Sequence, residues 1–269
     1  MEHGSWILTL SLQRSGSGGV LEAVQWDNFC RNLGIWRGSF ATYDHNLQLK
    51  DERPSLLSLE SIPDQSMATL TLRRWQPDHE MRQVISSIGR QDLFFSSGAF
   101  SKGPMQVAPA MVFAAEYAFV GADRRHRLVL LTDSAGQFTS TVLMRESRDG
   151  SAATHRPPLT AQQLLGPWNG VQETLSSGSN ALIQEPCSLV LDQNQLEGLR
   201  FLPDAGGFRI PSQISYREGF AVEAWWLPSP TRLERLVRCY DQGGAWRCSL
   251  HQQLERRGPN HPGGTIFTQ

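Results

Sequence analysis

Leu33-Gly34-Ile35-Trp36-Arg37-Gly38 returns later in the chain as Leu165-Gly166-Pro167-Trp168-Asn169-Gly170, the second tryptophan following the first by 132 residues. A repeat at about one domain length points to two copies of one unit rather than a single large fold. Each copy follows a short amphipathic stretch. In the first, Val20, Leu21, Val24, Trp26, Phe29 and Leu33 recur at roughly helical spacing. In the second, Thr160 is a natural N-cap ahead of Leu164 and Leu165. Each copy then runs on as a strand, Trp36 to Tyr43 and Trp168 to Leu175. The glycine before the tryptophan allows a steep turn into that strand, and the indole can plug one end of a closed sheet.

The remaining patterning is that of strands. Ala68 to Trp75 alternates, as does Met111 to Phe119, with Met111, Phe113, Ala115, Tyr117 and Phe119 on one face. That bulk predicts a first barrel filled by side chains. His126 to Thr132 and Phe138 to Glu146 read as a hairpin across Asp133-Ser134-Ala135-Gly136. Phe220 to Leu227, Arg232 to Tyr240 and Trp246 to Leu254 read as a meander turning at Pro228-Ser229-Pro230 and Gly243-Gly244. Short strands without intervening long helices give an all-β fold of two tandem antiparallel barrels, and the Gly-x-Trp start of each looks similar to that of lipocalins, which implies lipocalin-like (calycin) barrels. The expected division is a flexible N-terminal extension (1–20), a first barrel (21–150), a linker around Pro157-Pro158 (151–158), a second, smaller barrel (159–257) and a disordered tail (258–269).

Composition narrows the function classes. The balance of 25 Lys+Arg against 26 Asp+Glu lacks the basic footprint of a general nucleic-acid binder. No run approaches the ~18–20 apolar residues that cross a bilayer, which argues against membrane insertion. The stretch Trp6 to Leu12 has no basic start or cleavage site of a signal peptide, so a cytoplasmic location is expected. The seven histidines show no His-x-x-x-His pairing, and Cys30, Cys187, Cys239 and Cys248 show no Cys-x-x-Cys spacing, so neither a metal site nor a cofactor is expected. A Gly243-Gly244 turn sets Cys239 opposite Cys248, a packed reduced pair in a reducing compartment. No nucleophile elbow or other catalytic constellation stands out, and the expectation is a non-enzyme.

Two segments are candidates for binding. Asp92 to Pro104 gathers Phe94, Phe95, Phe100 and Lys102 around Gly98, a strand and tight corner of the kind found at a barrel mouth; Tyr117 belongs with them as a ligand candidate. A glycine-bent strand whose phenylalanines fill the core explains the segment equally well. Arg124, Arg125 and Arg127 follow Gly121 at an expected hairpin tip, where they could dock an acidic partner or clamp a carboxylate. A solvated turn is the competing account.

Longer strings carry a resemblance: Asn32-Leu33-Gly34-x-Trp36-x-Gly38-Ser39-Phe40, Phe94-Phe95-x-x-Gly98-Ala99-Phe100-Ser101-x-Gly103, Arg124-Arg125-x-Arg127-Leu128-Val129, Arg156-Pro157-Pro158-Leu159-Thr160, Glu223-Ala224-x-Trp226-Leu227 and Arg235-Leu236-Val237-Arg238-x-Tyr240. Across about residues 26–250 the chain resembles a two-domain calycin family of cyanobacteria and plastids. The plant member is a biogenesis factor required for chloroplast ATP synthase, and S-type phycobilin lyases are distant fold relatives. The resemblance implies an assembly role toward protein subunits, including those of the ATP synthase catalytic head, in cytoplasm or plastid stroma. The alternative it leaves open is a carrier or lyase-like binder of a lipophilic or bilin ligand. It also implies a lid: in lipocalins a basic residue of the last strand packs over the first-strand tryptophan. Arg145 is placed to cover Trp36, whereas for Trp168 the last strand of the second half offers only Arg247 at its start and His251 further along, with no clear counterpart.

Overall fold

The computed structural model describes residues 19–63, 67–75, 78–149, 151, 155–179 and 181–256. Nearly all of the expected N-terminal extension, and the whole tail from 258, lie outside these residues. The first half contains α1 (Gly19–Cys30), β1 (Gly34–Asp44), β2 (Leu49–Ile62), β3 (Met67–Arg74), β4 (His79–Ile85), β5 (Asp92–Phe94), β6 (Phe100–Lys102), β7 (Ala114–Val120), β8 (Arg124–Thr132) and β9 (Phe138–Arg148). The second contains α2 (Ala161–Leu164), β10 (Gly166–Ser176), β11 (Ile183–Leu191), β12 (Arg200–Leu202), β13 (Gly206–Arg209), β14 (Phe220–Ser229), β15 (Arg232–Tyr240) and β16 (Trp246–Glu255).

The fold is all-β, two antiparallel sheets curled in the manner of lipocalin barrels. Sheet order is β4-β3-β2-β1-β9-β8-β7-β6-β5 in the first and β11-β10-β16-β15-β14-β13-β12 in the second. In both, the strand that carries the repeated tryptophan lies between its successor and the last strand of its half.

The repeat explains this arrangement residue by residue. Gly34 and Gly166 have φ of 134° and 108°, open to glycine and strained for any other residue. A Cβ at Gly38 would collide with the Arg145 carbonyl, and one at Gly170 with that of Gln253, because the last strand crosses there. Trp36 and Trp168 are fully buried. Each indole Nε1 donates to a carbonyl four residues back, Asn32 at 2.9 Å and Leu164 at 2.7 Å.

Side chains sort into three cores. One lies inside the first barrel (Trp36, Phe40, Leu57, Leu70, Phe94, Met144), and one inside the second (Leu164, Trp168, Leu199, Trp225, Leu233, Leu254). The third and largest joins the two sheets, setting Phe95, Phe113, Tyr117, Phe119 and Leu130 against Phe208, Trp226, Leu236, Tyr240 and Trp246. This corrects one expectation. The strand begins at Ala114 rather than Met111, and the face carrying Phe113, Ala115, Tyr117 and Phe119 packs on the second sheet instead of filling the first barrel.

The β8–β9 hairpin and the β14–β15–β16 meander form as expected. Cys239 pairs with Cys248 as the turn predicts, although the loop is wider than Gly243-Gly244: Asp241 N–H donates to the Ala245 carbonyl, and a bulge between Cys239 and Tyr240 restores the register. Among the described residues no helix is long and apolar enough to cross a membrane.

Candidate functional site

The expected mouth segment bends at Gly98 (φ 88°), where Gly98 N–H donates to the Phe95 carbonyl. Helix α1 docks on this corner through side chains that satisfy its backbone. Gln25 both donates to the Phe94 carbonyl (2.8 Å) and accepts from its N–H (2.7 Å), and Asn32 donates to the Gly98 carbonyl at 2.9 Å. Of the five mouth candidates, Phe94, Phe100 and Lys102 line a cavity inside the first barrel with Leu57, Leu59, Leu70, Asp92 and Glu116. Phe95 and Tyr117 point the other way, into the core between the sheets, where the Tyr117 hydroxyl donates to the Val222 carbonyl at 3.1 Å.

The cavity measures about 50 Å³, room for a few water molecules. Its floor is charged. Arg127 Nε donates to Glu116 Oε1 at 3.0 Å and Nη1 to Glu146 Oε1 at 3.3 Å, while Arg125 Nε donates to Glu146 Oε2 at 2.6 Å. Burial alone would raise the Glu146 carboxyl, but the two guanidiniums outweigh it and hold the group below its ordinary value. Asp92 lies beside Lys102 (3.3 Å) yet is so buried that its carboxyl is pushed up to about 6.

The arginines therefore do not form an exposed tip. Arg125 and Arg127 are 4% and 2% exposed and face into the barrel, because residues two apart on a strand share a face. Arg124 turns to the opposite side and reaches across to the second half, where Nη2 contacts both Asp204 oxygens at 2.7 and 2.6 Å. His126, on the same side, stacks on Trp226 (centroids 5.5 Å apart) and sets Nδ1 3.4 Å from Asp204. The seam continues with Arg238, fully buried, donating to the Gly103 carbonyl at 2.8 Å and to Tyr240 Oη at 2.8 Å. His251 is held by Glu234 at 3.2 Å, with Glu173 at 3.9 Å.

The lid also differs from expectation. Arg145 pairs with Glu52 at 2.6 Å, and the guanidinium over Trp36 is that of Arg148 at 4.4 Å, with Arg125 at 4.6 Å. The second barrel has a counterpart after all. Arg256 lies 4.4 Å over Trp168, one residue past β16. Strand pairing exposes a second internal repeat. Glu116 and Arg127-Leu128-Val129 correspond to Glu223 and Arg235-Leu236-Val237, since Glu116 pairs with Val129 as Glu223 pairs with Val237. The inward Glu–Arg pair thus recurs, Arg235 Nε donating to Glu223 Oε2 at 3.0 Å.

On the outside, Arg37, Arg124, Arg145 and Arg148, with His155, line an open cleft of about 260 Å³ whose carboxylate is Asp149, the Glu146 side chain being turned into the barrel. Arg37 is a solvent-facing wall of it, its side chain 59% exposed beside Asp149 at 3.3 Å. Among the described residues no cluster of three or more His, Cys, Asp or Glu side chains could hold a metal ion.

Residues 22–151 match the family described as domain of unknown function (DUF3598), N-terminal. Residues 177–257 match that described as biogenesis factor required for ATP synthase 1, C-terminal domain. A crystal structure of a DUF3598-family protein of unknown function from Nostoc punctiforme is 28% identical, with a TM-score of 0.79 over 87% of this chain and 99% of that one. The S-type phycobiliprotein lyase CPES from Guillardia theta is a remote likeness, 16% identical with a TM-score of 0.32 over 46% of this chain and 92% of that one. No curated protein matches. In order along the chain, the first half is thus matched by the DUF3598 N-terminal domain and the second by the C-terminal domain of the ATP synthase biogenesis factors.

Proposed function

We propose that this chain is a non-catalytic, client-binding factor that assists assembly of ATP synthase, acting through its outer surfaces. The observation that carries the reading is the state of the first barrel's interior. Trp36, Phe40, Leu57, Leu70 and Phe94 fill it above the Glu116–Arg127–Glu146 floor, and about 50 Å³ remains. Sites for ligands of bilin or lipid size need roughly 300–1,000 Å³. The second barrel is likewise packed by Trp168, Leu196, Leu199 and Trp225. The match of residues 177–257 to a domain of ATP synthase biogenesis factors supports the choice of client.

The basic cleft supplies a docking surface for an acidic segment of that client, through planar donors suited to carboxylates. Of the expected docking arginines, Arg124 contributes to this cleft, and Arg37, Arg145 and Arg148 complete it. The test is a titration of the purified chain against separate subunits of an ATP synthase catalytic head. Saturable binding that weakens in Arg37→Glu is expected. A chain that binds none of the subunits, yet saturates with biliverdin or a fatty acid at micromolar concentration, would overturn the reading in favour of a carrier.

A further inference from the structure

The two halves differ in one respect that the shared motif makes measurable. Trp36 pairs with Leu57 of β2, and Trp168 with Leu189 of β11, so Ser55, Leu57 and Leu59 correspond to Cys187, Leu189 and Leu191. In the first half these positions are 1%, 2% and 3% exposed, because β3 pairs along the far side of β2 and lays Leu70 and Leu72 beside them. In the second half the chain passes from β11 to β12 through the turn at 192–199, and no counterpart of β3 or β4 is formed among the described residues. Cys187 and Leu189 are left half-covered over the second core, and Val190 is 66% exposed. Strand β11 is the edge of its sheet.

The register says which backbone groups that edge offers. Trp75 N–H donates to the Pro54 carbonyl, so Pro54, Leu56 and Ser58 turn their backbone groups toward β3. Their counterparts Pro186, Ser188 and Val190 turn outward, offering three carbonyls and, since proline has no N–H, the donors of Ser188 and Val190. Unpaired edges of this kind recruit strands.

We propose that β11 is a docking edge for an extended strand of another polypeptide, one with apolar residues at alternate positions, seated antiparallel as β3 is on β2. The occupant's chemistry is written in the first half of the chain. It places apolar side chains opposite Leu189 and Leu191, as β3 places Leu72 and Leu70 opposite Leu57 and Leu59. A second copy of this chain fits less well. A self-paired β11 centred on Ser188 sets Pro186 against Val190 twice and forfeits a donor each time. The proposal deepens the client-binding reading and rests on it, by naming a surface none of whose residues line the basic cleft.

The experiment uses the full chain and a labelled synthetic peptide of the Met67–Arg74 sequence as the probe. Saturable binding is expected, with slowed hydrogen exchange at the Ser188 and Val190 amides. Ser188→Pro removes an outward donor without touching the β10 ladder, and should weaken binding about tenfold, the equivalent of one lost hydrogen bond. A peptide with Leu70→Lys and Leu72→Lys should bind as weakly. Equal affinity for Ser188→Pro, protection at other amides, or a dimer whose β11 amides are already protected without peptide would each overturn the proposal. Hydrogen exchange on the wild-type chain decides the matter even where a variant fails to fold. Subunit binding that is undiminished in Ser188→Pro would remove the edge and leave the client reading standing, whereas absence of any subunit binding would remove the latter.

Discussion

Arg256 stands over Trp168 as Arg148 stands over Trp36, both guanidiniums 4.4 Å from the ring, and each also donates from Nη1 to the leucine carbonyl that opens the repeated motif, Leu165 at 3.1 Å and Leu33 at 3.0 Å. One side chain therefore latches the last strand of each half to its first. Replacing Arg256 with alanine removes a cation–π contact and a charged donor, a loss of about 1–3 kcal/mol. For a chain of this size the melting temperature should fall by roughly 2–10 °C. Arg145→Ala, at the position first expected to form the lid, should cost less than Arg148→Ala, because Arg145 engages the partly exposed Glu52 instead. Thermal melts of the three variants decide between the two lids.

The buried Glu116–Arg127–Glu146 set makes a contrasting prediction. Arg127→Ala strands Glu116 in the barrel and leaves Glu146 with Arg125 alone, and should cost about 3–5 kcal/mol. Glu116→Leu combined with Arg127→Met and Glu146→Leu restores an apolar floor and should recover much of that loss, although Arg125 then lacks a partner and keeps the recovery partial. Urea unfolding of the single and triple variants measures the difference. Equal stability of wild type and Arg127→Ala would show that the floor contributes nothing.

Asp92 and His251 each contribute to the pH dependence. Asp92 holds its proton to about 6 when folded, against 3.8 as a free side chain, so between those values the native state binds more protons than the unfolded one. Stability from this group is present below about 4 and is lost as pH rises through 6. Asp92→Asn should flatten that slope in unfolding curves taken between pH 4 and 7. His251 is lowered by burial, but its bonds to Glu173 and Glu234 outweigh that and raise it above 6.5. Its stabilisation is full below 6.5 and disappears as pH climbs past the raised folded value. Burial moves His126 the other way. An NMR titration should find His251 protonating at higher pH than His126.

The facing cysteines should react unequally. Hydrogen bonding between the thiols lowers Cys248 to about 7 and raises Cys239. The thiolate is the nucleophile, so Cys248 should be alkylated first at pH 7–8. Cys239→Ala, which removes that donor, should shift the reaction of Cys248 to higher pH. Mass spectrometry of partially alkylated protein reads out both.

The fold was legible in the sequence because its deciding residues are local. A positive-φ glycine, an indole bonded four residues back and a glycine under a crossing strand all lie within one short motif that occurs twice. The site was harder to read, and the reason is burial on both faces. Along β8, Arg124 and His126 enter the seam while Arg125 and Arg127 enter the barrel. Alternation normally separates water from core, but here it separates one core from another, and the sequence carries no mark of which is which. The lid was missed for a simpler reason: Arg148 and Arg256 lie at or just past the last residue of their strands, where the boundary of an element is least defined by its pattern. Strands β2 and β11 are masked in the sequence because each contains a proline, tolerated there because its missing donor faces away from the neighbouring tryptophan strand.

The aromatic layer between the sheets has a consequence for how such a chain can evolve. Each sheet keeps the other's phenylalanines, tyrosines and tryptophans from water, and Arg238, Tyr117 and Asp204 stitch the layer with bonds from one half to the other. Neither half can be traded for an unrelated module, or expressed by itself, without baring a hydrophobic face. The two halves are inherited as one piece.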